Sequence, residues 1–175
     1  MKLYGVTGWK NCGKTGLMER LVAEITARGF KVSTVKHAHH TFDVDQPGRD
    51  SYRHRTAGAS EVLLVSGKRW ALMHELREEA EPPLAELLTK LSDVDLVLIE
   101  GYKSEPHPKI EAHRAAAGQA LIAPNDASIR AVASDQPASA HADLQRPIFD
   151  LNDHAAIATF ILTETGLTQD AAEIA

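Results

Sequence analysis

The chain has 175 residues, 43% of them apolar and 25% charged, with a net charge of −5. That length suits one compact domain, and that composition an ordinary globular chain; the negative charge argues against a general nucleic-acid or membrane-surface binder, which needs a positive field. A single cysteine, Cys12, excludes an internal disulfide and a thiolate zinc site. With no basic, apolar leader and no run near the roughly 18 apolar residues of a membrane span, a cytoplasmic location is expected.

In chain order, Leu3 to Thr7 is a short apolar run ended by Gly8, and from Lys14 onward Leu17, Leu21, Val22 and Ile25 recur at helical spacing. Gly29 ends that helix and Phe30 to Lys36 reads as a second strand, which completes a βαβ unit with parallel strands. His37 to Arg55 is polar and aperiodic, a long surface loop leading into a short helix. Two strand-like runs, Glu61 to Ser66 and Arg69 to His74, flank Gly67-Lys68 as in a tight hairpin, expected on the edge of the sheet. Pro82-Pro83 starts a helix with Leu84, Leu87, Leu88 and Leu91 on one face.

Val94 to Glu100 is the most continuous apolar run and predicts a central parallel strand buried on both faces. Further strands are expected at Lys109 to His113, Leu121 to Ala123 and Ile129 to Ser134, and a last helix from about Asp153 to Thr165. The expected fold class is α/β: a three-layer α/β/α sandwich of the P-loop NTPase kind, mostly parallel, with an antiparallel edge hairpin. Residues 1–165 would form a single nucleotide-binding domain and 166–175 a flexible tail.

Gly8-Trp9-Lys10-Asn11-Cys12-Gly13-Lys14-Thr15 carries a glycine, four residues, then Gly-Lys-Thr, between an apolar strand and an amphipathic helix. In that context the loop's backbone N–H groups cradle phosphates, Lys14 reaches the β- and γ-phosphates, and the Thr15 hydroxyl can ligate Mg²⁺. Such a site needs an acid at the end of a neighbouring strand, and Glu100 has that position. The His37 to Asp45 loop starts at the carboxyl edge of the sheet; Asp43 or Asp45 could position an attacking water, while the histidines do not reproduce a closed zinc spacing. Arg49, Arg53, Lys103 and Lys109 could add positive potential for a second anion, although each alone is more often a surface charge. Cys12 lacks a paired base and reads as packing or solvent-facing rather than catalytic. Asp135, after a late strand, could read a guanine base or simply cap a turn.

With that phosphate loop, the stretch Lys36-His37-Ala38-His39-His40 through Asp43, Asp45, Pro47-Gly48 and Asp50-Ser51, the run Leu98-Ile99-Glu100-Gly101-Tyr102-Lys103 and Lys109-Ile110-Glu111, the chain resembles the molybdopterin-guanine dinucleotide biosynthesis protein B family over roughly residues 1 to 165. The resemblance implies a dimeric GTP-binding P-loop protein with weak GTPase activity. Such a protein acts as an adapter to the molybdenum cofactor guanylyltransferase, assisting attachment of GMP to molybdopterin. It further implies that Gly8, Asn11, Cys12, Gly13, Lys14 and Thr15 hold phosphates and that Thr15 and Glu100 serve Mg²⁺; from their places on the loop and strand ends, Lys10 joins the phosphate contacts and Lys14, Asp45 and Glu100 are the candidates to carry hydrolysis. His37, His39, Arg49 and Lys103 would then face a second anion, the γ-phosphate or molybdopterin's phosphate. Family proteins often carry serine at position 12; the backbone N–H does the binding there, so Cys12 costs little while adding an oxidisable thiol.

Two other classes compete. A small-molecule kinase using ATP or GTP would need a substrate hydroxyl site and an arginine-bearing lid, which Arg69 and Arg77 do not compose; a lone nucleotidyltransferase would need a different glycine-rich signature. No arginine finger is evident in cis, which predicts slow hydrolysis.

Overall fold

The computed structural model describes residues 1–38 and 42–168. The chain divides into two compact units, Met1–His37 with Asp93–Ala175, and Ala38–Ser92.

The first unit holds strands β1 (Lys2–Thr7), β2 (Val32–Lys36), and, past the second unit's elements, β5 (Leu96–Glu100), β6 (Lys109–His113), β7 (Ile129–Ser134) and β8 (Ile148–Asp150). They form one six-stranded sheet in the order β2-β5-β1-β6-β7-β8, and every neighbouring pair is parallel. Helices α1 (Lys14–Ala27) and α4 (His154–Thr165) pack on one face. Leu17, Leu21 and Ile25 of α1 and Ile157 and Ile161 of α4 meet Tyr4, Val6, Leu96, Leu98, Ile110 and Ala112 in one continuous core. The alternate residues of β5, Val97 and Ile99, are buried too, so β5 is covered on both faces as its unbroken apolar run predicts.

Local chemistry closes the elements. Gly29, at φ 90°, ends α1, and the Phe30 N–H returns to the Ile25 carbonyl, so β2 begins at Val32 rather than Phe30. Asp153 caps α4 by accepting from the Ala156 N–H, and Gly166 ends it with the Leu167 N–H on the Leu162 carbonyl. Among the described residues, no helix is long and apolar enough to cross a membrane.

A connection of only eight residues, 101–108, carries the chain from β5 across β1 to β6. Parallel crossovers ordinarily take a dozen or more. The short route works because His107 lies directly on Gly5, where any Cβ would stand 2.7 Å from its Nε2.

The second unit contains α2 (Asp50–Thr56), the pair β3 (Glu61–Val65) and β4 (Trp70–His74), and α3 (Leu84–Leu88). Here three expectations are corrected. The hairpin forms, but as its own two-stranded sheet and not on the edge of the main one. Turn chemistry specifies that the two strands pair with each other and leaves any third partner to tertiary packing. The helix after Pro83 stops at Leu88, so Leu91 falls in a turn beyond it. Leu121 to Ala123, in the first unit, is no strand, because the Ile122 and Ala123 N–H groups donate to the Glu111 carboxylate and the chain enters a 3-10 turn at Ala123–Asn125. Strand β8, three residues long, is too short to announce itself by periodicity.

Candidate functional site

Strand β1 lies between β5 and β6, so the order switches direction on either side of it, and ligands of open parallel sheets bind outside the carboxyl ends of strands at such a point. The segment that emerges there is Gly8 to Thr15. Gly8 turns at φ 138°, where a Cβ would stand 2.4 Å from the Ala112 carbonyl oxygen on β6, so only glycine can leave β1 this closely. Asn11 and Gly13 are left-handed, at φ 65° and 87°, and turn the loop into α1. The first intrahelical bond of α1 runs from the Leu17 N–H to the Gly13 carbonyl, so the N–H groups before it have no helical acceptor. No side chain caps this end and no acid stands in its first turn, which leaves its positive end for a ligand.

Charged side chains converge on this end from the flanking strand. The Thr15 hydroxyl donates to Glu100 Oε1 at 3.3 Å, and Lys36 Nζ, ending β2, stands 3.6 Å from Glu100 Oε2. Lys14 Nζ donates to the Trp9 carbonyl at 2.6 Å. Burial pushes the Lys14 ammonium below the ordinary lysine range; Glu100 opposes this, and the nearby Lys103 and Lys36 add to it. A polyanion here would relieve that repulsion. Cys12 is fully buried and so serves packing.

The strand end Glu100-Gly101-Tyr102-Lys103 wraps the same edge. A Cβ on Gly101 would press within 3.0 Å of His37 Cβ, the His37 N–H donates to the Glu100 carbonyl, and the His37 and Tyr102 rings stack with centroids 4.6 Å apart. Lys103 Nζ sits 4.1 Å over the Trp9 ring, whose indole N–H donates to the Ala120 carbonyl. Lys10 and Asn11 are exposed on the loop.

The remaining expected site residues have surroundings of their own. Asp135, after β7, accepts the Ala115 N–H through Oδ1. Lys109 is fully buried, donating to the Glu105 carbonyl and, at 2.6 Å, to Ser128 Oγ, and offers no exposed positive charge. Asp45 lies in the second unit, where Oδ1 accepts from the Gln46 N–H and the Ser51 hydroxyl, and Oδ2 is 3.5 Å from Arg55 Nε. Arg55 also clasps Asp43 at 2.9 Å and Glu75 at 2.8 Å; the Asp45 N–H bond, and then Arg55, lower the Asp43 carboxyl below its usual range. Arg49 is an exposed residue just before α2, and His39 lies outside the described residues.

Sequence reasoning passed over Arg114. It follows β6 directly, and a Cβ on Gly13 would stand 2.9 Å from its Nε, so the guanidinium lies against the phosphate loop. The available signal was an arginine one residue past a strand end on the switch-point edge. Among the described residues, no group of three or more His, Cys, Asp or Glu gathers as a metal cage. The Thr15–Glu100 pair is the smaller set of oxygens that suits Mg²⁺, which takes one or two protein ligands plus phosphates and water.

Comparison with known proteins agrees with this arrangement. Residues 3–135 match the family Molybdopterin guanine dinucleotide synthesis protein B. The chain is 40% identical over 165 residues to the molybdopterin-guanine dinucleotide biosynthesis adapter protein of Haemophilus influenzae, covering 91% of this chain and 86% of that one. It is 39% identical over 165 residues to the Escherichia coli protein of the same name, covering 91% of each. Among solved structures, a MobB protein homolog from Bacillus stearothermophilus matches with a TM-score of 0.67 at 29% identity, covering 96% of this chain and all of that one. Bacillus subtilis MobB, at a TM-score of 0.72 and 22% identity, shares the fold. The parallel sheet, the loop at its switch point and these relatives place the chain in the molybdopterin guanine dinucleotide synthesis protein B family, with a P-loop NTPase α/β fold.

Proposed function

We propose that this chain is a GTP-binding adapter in molybdopterin-guanine dinucleotide biosynthesis, acting in the cytoplasm as a homodimer beside the guanylyltransferase that attaches GMP to molybdopterin. The observation that carries the nucleotide part is the convergence of Lys14, Thr15 and Glu100 on an uncapped helix end at the switch point. The pathway is that named for the relatives at 40% and 39% identity. Gly8, Asn11, Gly13 and the first turn of α1 bind the β- and γ-phosphates through N–H groups, and Lys14 supplies charge. Thr15 and Glu100 would hold Mg²⁺, which when bound neutralises charge between the two phosphates. Asp45 has its hydrogen-bonding partners in its own unit, so we assign it no chemical step, and hydrolysis is expected to be slow. Residues 1–165 serve as one nucleotide-binding domain in this reading.

Two measurements test it. Lys14→Ala is expected to weaken GTP binding by about 10- to 100-fold, the worth of one charge-assisted contact; unchanged affinity would overturn nucleotide binding at this loop, and a clear preference for ATP would return the kinase reading. Addition of the chain to a purified guanylyltransferase with molybdopterin and GTP is expected to raise GMP transfer, and no stimulation would remove the adapter role.

A further inference from the structure

We infer that Arg114 grips the nucleotide's phosphate chain in cis from the β6 side, at its α- and β-phosphates, an inference that rests on the nucleotide-binding reading above. The other arginines of its unit are committed: Arg20 donates to the Leu151 carbonyl, Arg28 to Glu24, Arg130 to Glu164 and Arg146 to the Asp126 carbonyl. Among the described residues, the Arg114 guanidinium donates to no protein group, and it is exposed. Its position is nevertheless defined, because Arg114 follows the buried strand β6 and the next residue's N–H is held at 2.9 Å by Asp135. The side chain then lies on Gly13, the residue that leads into α1.

Which phosphate it meets follows from the strand order. Glu100 ends β5 on one flank of β1, and with Thr15 and Lys14 it marks the metal and γ-phosphate side. Arg114 follows β6 on the opposite flank of β1, against the loop, where β6 lies between β1 and β7. A nucleotide seated on the loop therefore runs from Glu100 at its γ end toward Arg114 at its α end. A planar guanidinium there can donate two parallel N–H bonds to non-bridging oxygens, which an ammonium cannot match. Arg114 thus differs from an arginine finger: it reads groups common to di- and triphosphates.

The test is titration of the full chain with fluorescently labelled GDP and with labelled non-hydrolysable GTP, comparing wild type, Lys14→Ala, Arg114→Ala and Arg114→Lys. Arg114→Ala is expected to weaken both ligands by the same factor, about 10- to 100-fold. Arg114→Lys should recover only part of that, while the urea midpoint of the nucleotide-free chain stays put because the side chain is exposed. Unchanged GDP affinity in Arg114→Ala, whether or not GTP weakens, overturns the inference and leaves the nucleotide reading intact. A wild-type chain that binds neither ligand overturns both.

Discussion

At the residue scale, buried titratable groups outside the site set the pH response. His107 is nine-tenths buried on Gly5, and among the described residues neither ring nitrogen has a partner. Burial, and then the Lys109 ammonium, push its pKa from 6.5 down to about 4, with Asp126 opposing. The unfolded chain therefore binds the extra proton between those values. Stability from this group is complete above pH 6.5 and lost as pH falls toward 4, by roughly 3 kcal/mol in all. Glu111 slopes the other way, since burial raises its carboxyl above 4.5 and its contribution fades as pH rises through that raised value. Urea unfolding of wild type and His107→Leu at pH 7 and pH 4.5 separates the two: the variant should lose less stability on acidification, and parallel losses would refute the assignment. Residues such as Gly8 were legible in the sequence because their spacing is fixed by chemistry. Gly5 was not, since the chain that crosses it lies more than a hundred residues away.

At the scale of elements, the clearest case is the segment after β6. Glu111 sits fully buried on that strand, and its carboxylate accepts from the Ile122 and Ala123 N–H groups at 2.8 to 3.0 Å. It thereby fixes the far end of the excursion that begins with Arg114 and is tied to the phosphate loop by the Trp9 indole on Ala120. Glu111→Ala leaves those donors without an acceptor and is expected to cost about 2–4 kcal/mol of stability, measured by urea unfolding; a loss under about 1 kcal/mol would mean water or a shifted backbone replaces the carboxylate. This acid also explains why an apolar Leu-Ile-Ala run is no strand: its N–H groups serve a side chain instead of a ladder. Helices α1 and α4 and strands β5, β6 and β7 were legible because each carries its own period or an unbroken apolar run. The three-residue β8 and the early stop of α3 carry neither signal.

At the scale of the whole molecule, the second unit's hairpin bears on assembly. The pair Val62 with Met73 is buried, whereas Leu63 with Leu72 and Val65 with Trp70 share the other face and stay 48 to 72% exposed. The His74–Glu61 ion pair ends that apolar stripe. A contiguous apolar face of this kind supports the proposed homodimer, with a second copy as its cover. Sedimentation is expected to show a dimer for the wild type and a monomer for Val65→Lys together with Trp70→Glu; a monomeric wild type removes the homodimer, and a variant that stays dimeric places the interface elsewhere. By itself, the sequence determined the phosphate loop, the parallel character of the sheet and the acid at the end of β5, because backbone conformation, periodicity and strand-end position are local properties. Only the tertiary structure decided that the hairpin stands as its own sheet, that Lys109 and Glu111 are buried, and that Arg114 lies on Gly13. Those depend on which distant segments meet, and side-chain burial and partner choice are set by packing between strands rather than by the order of residues within one.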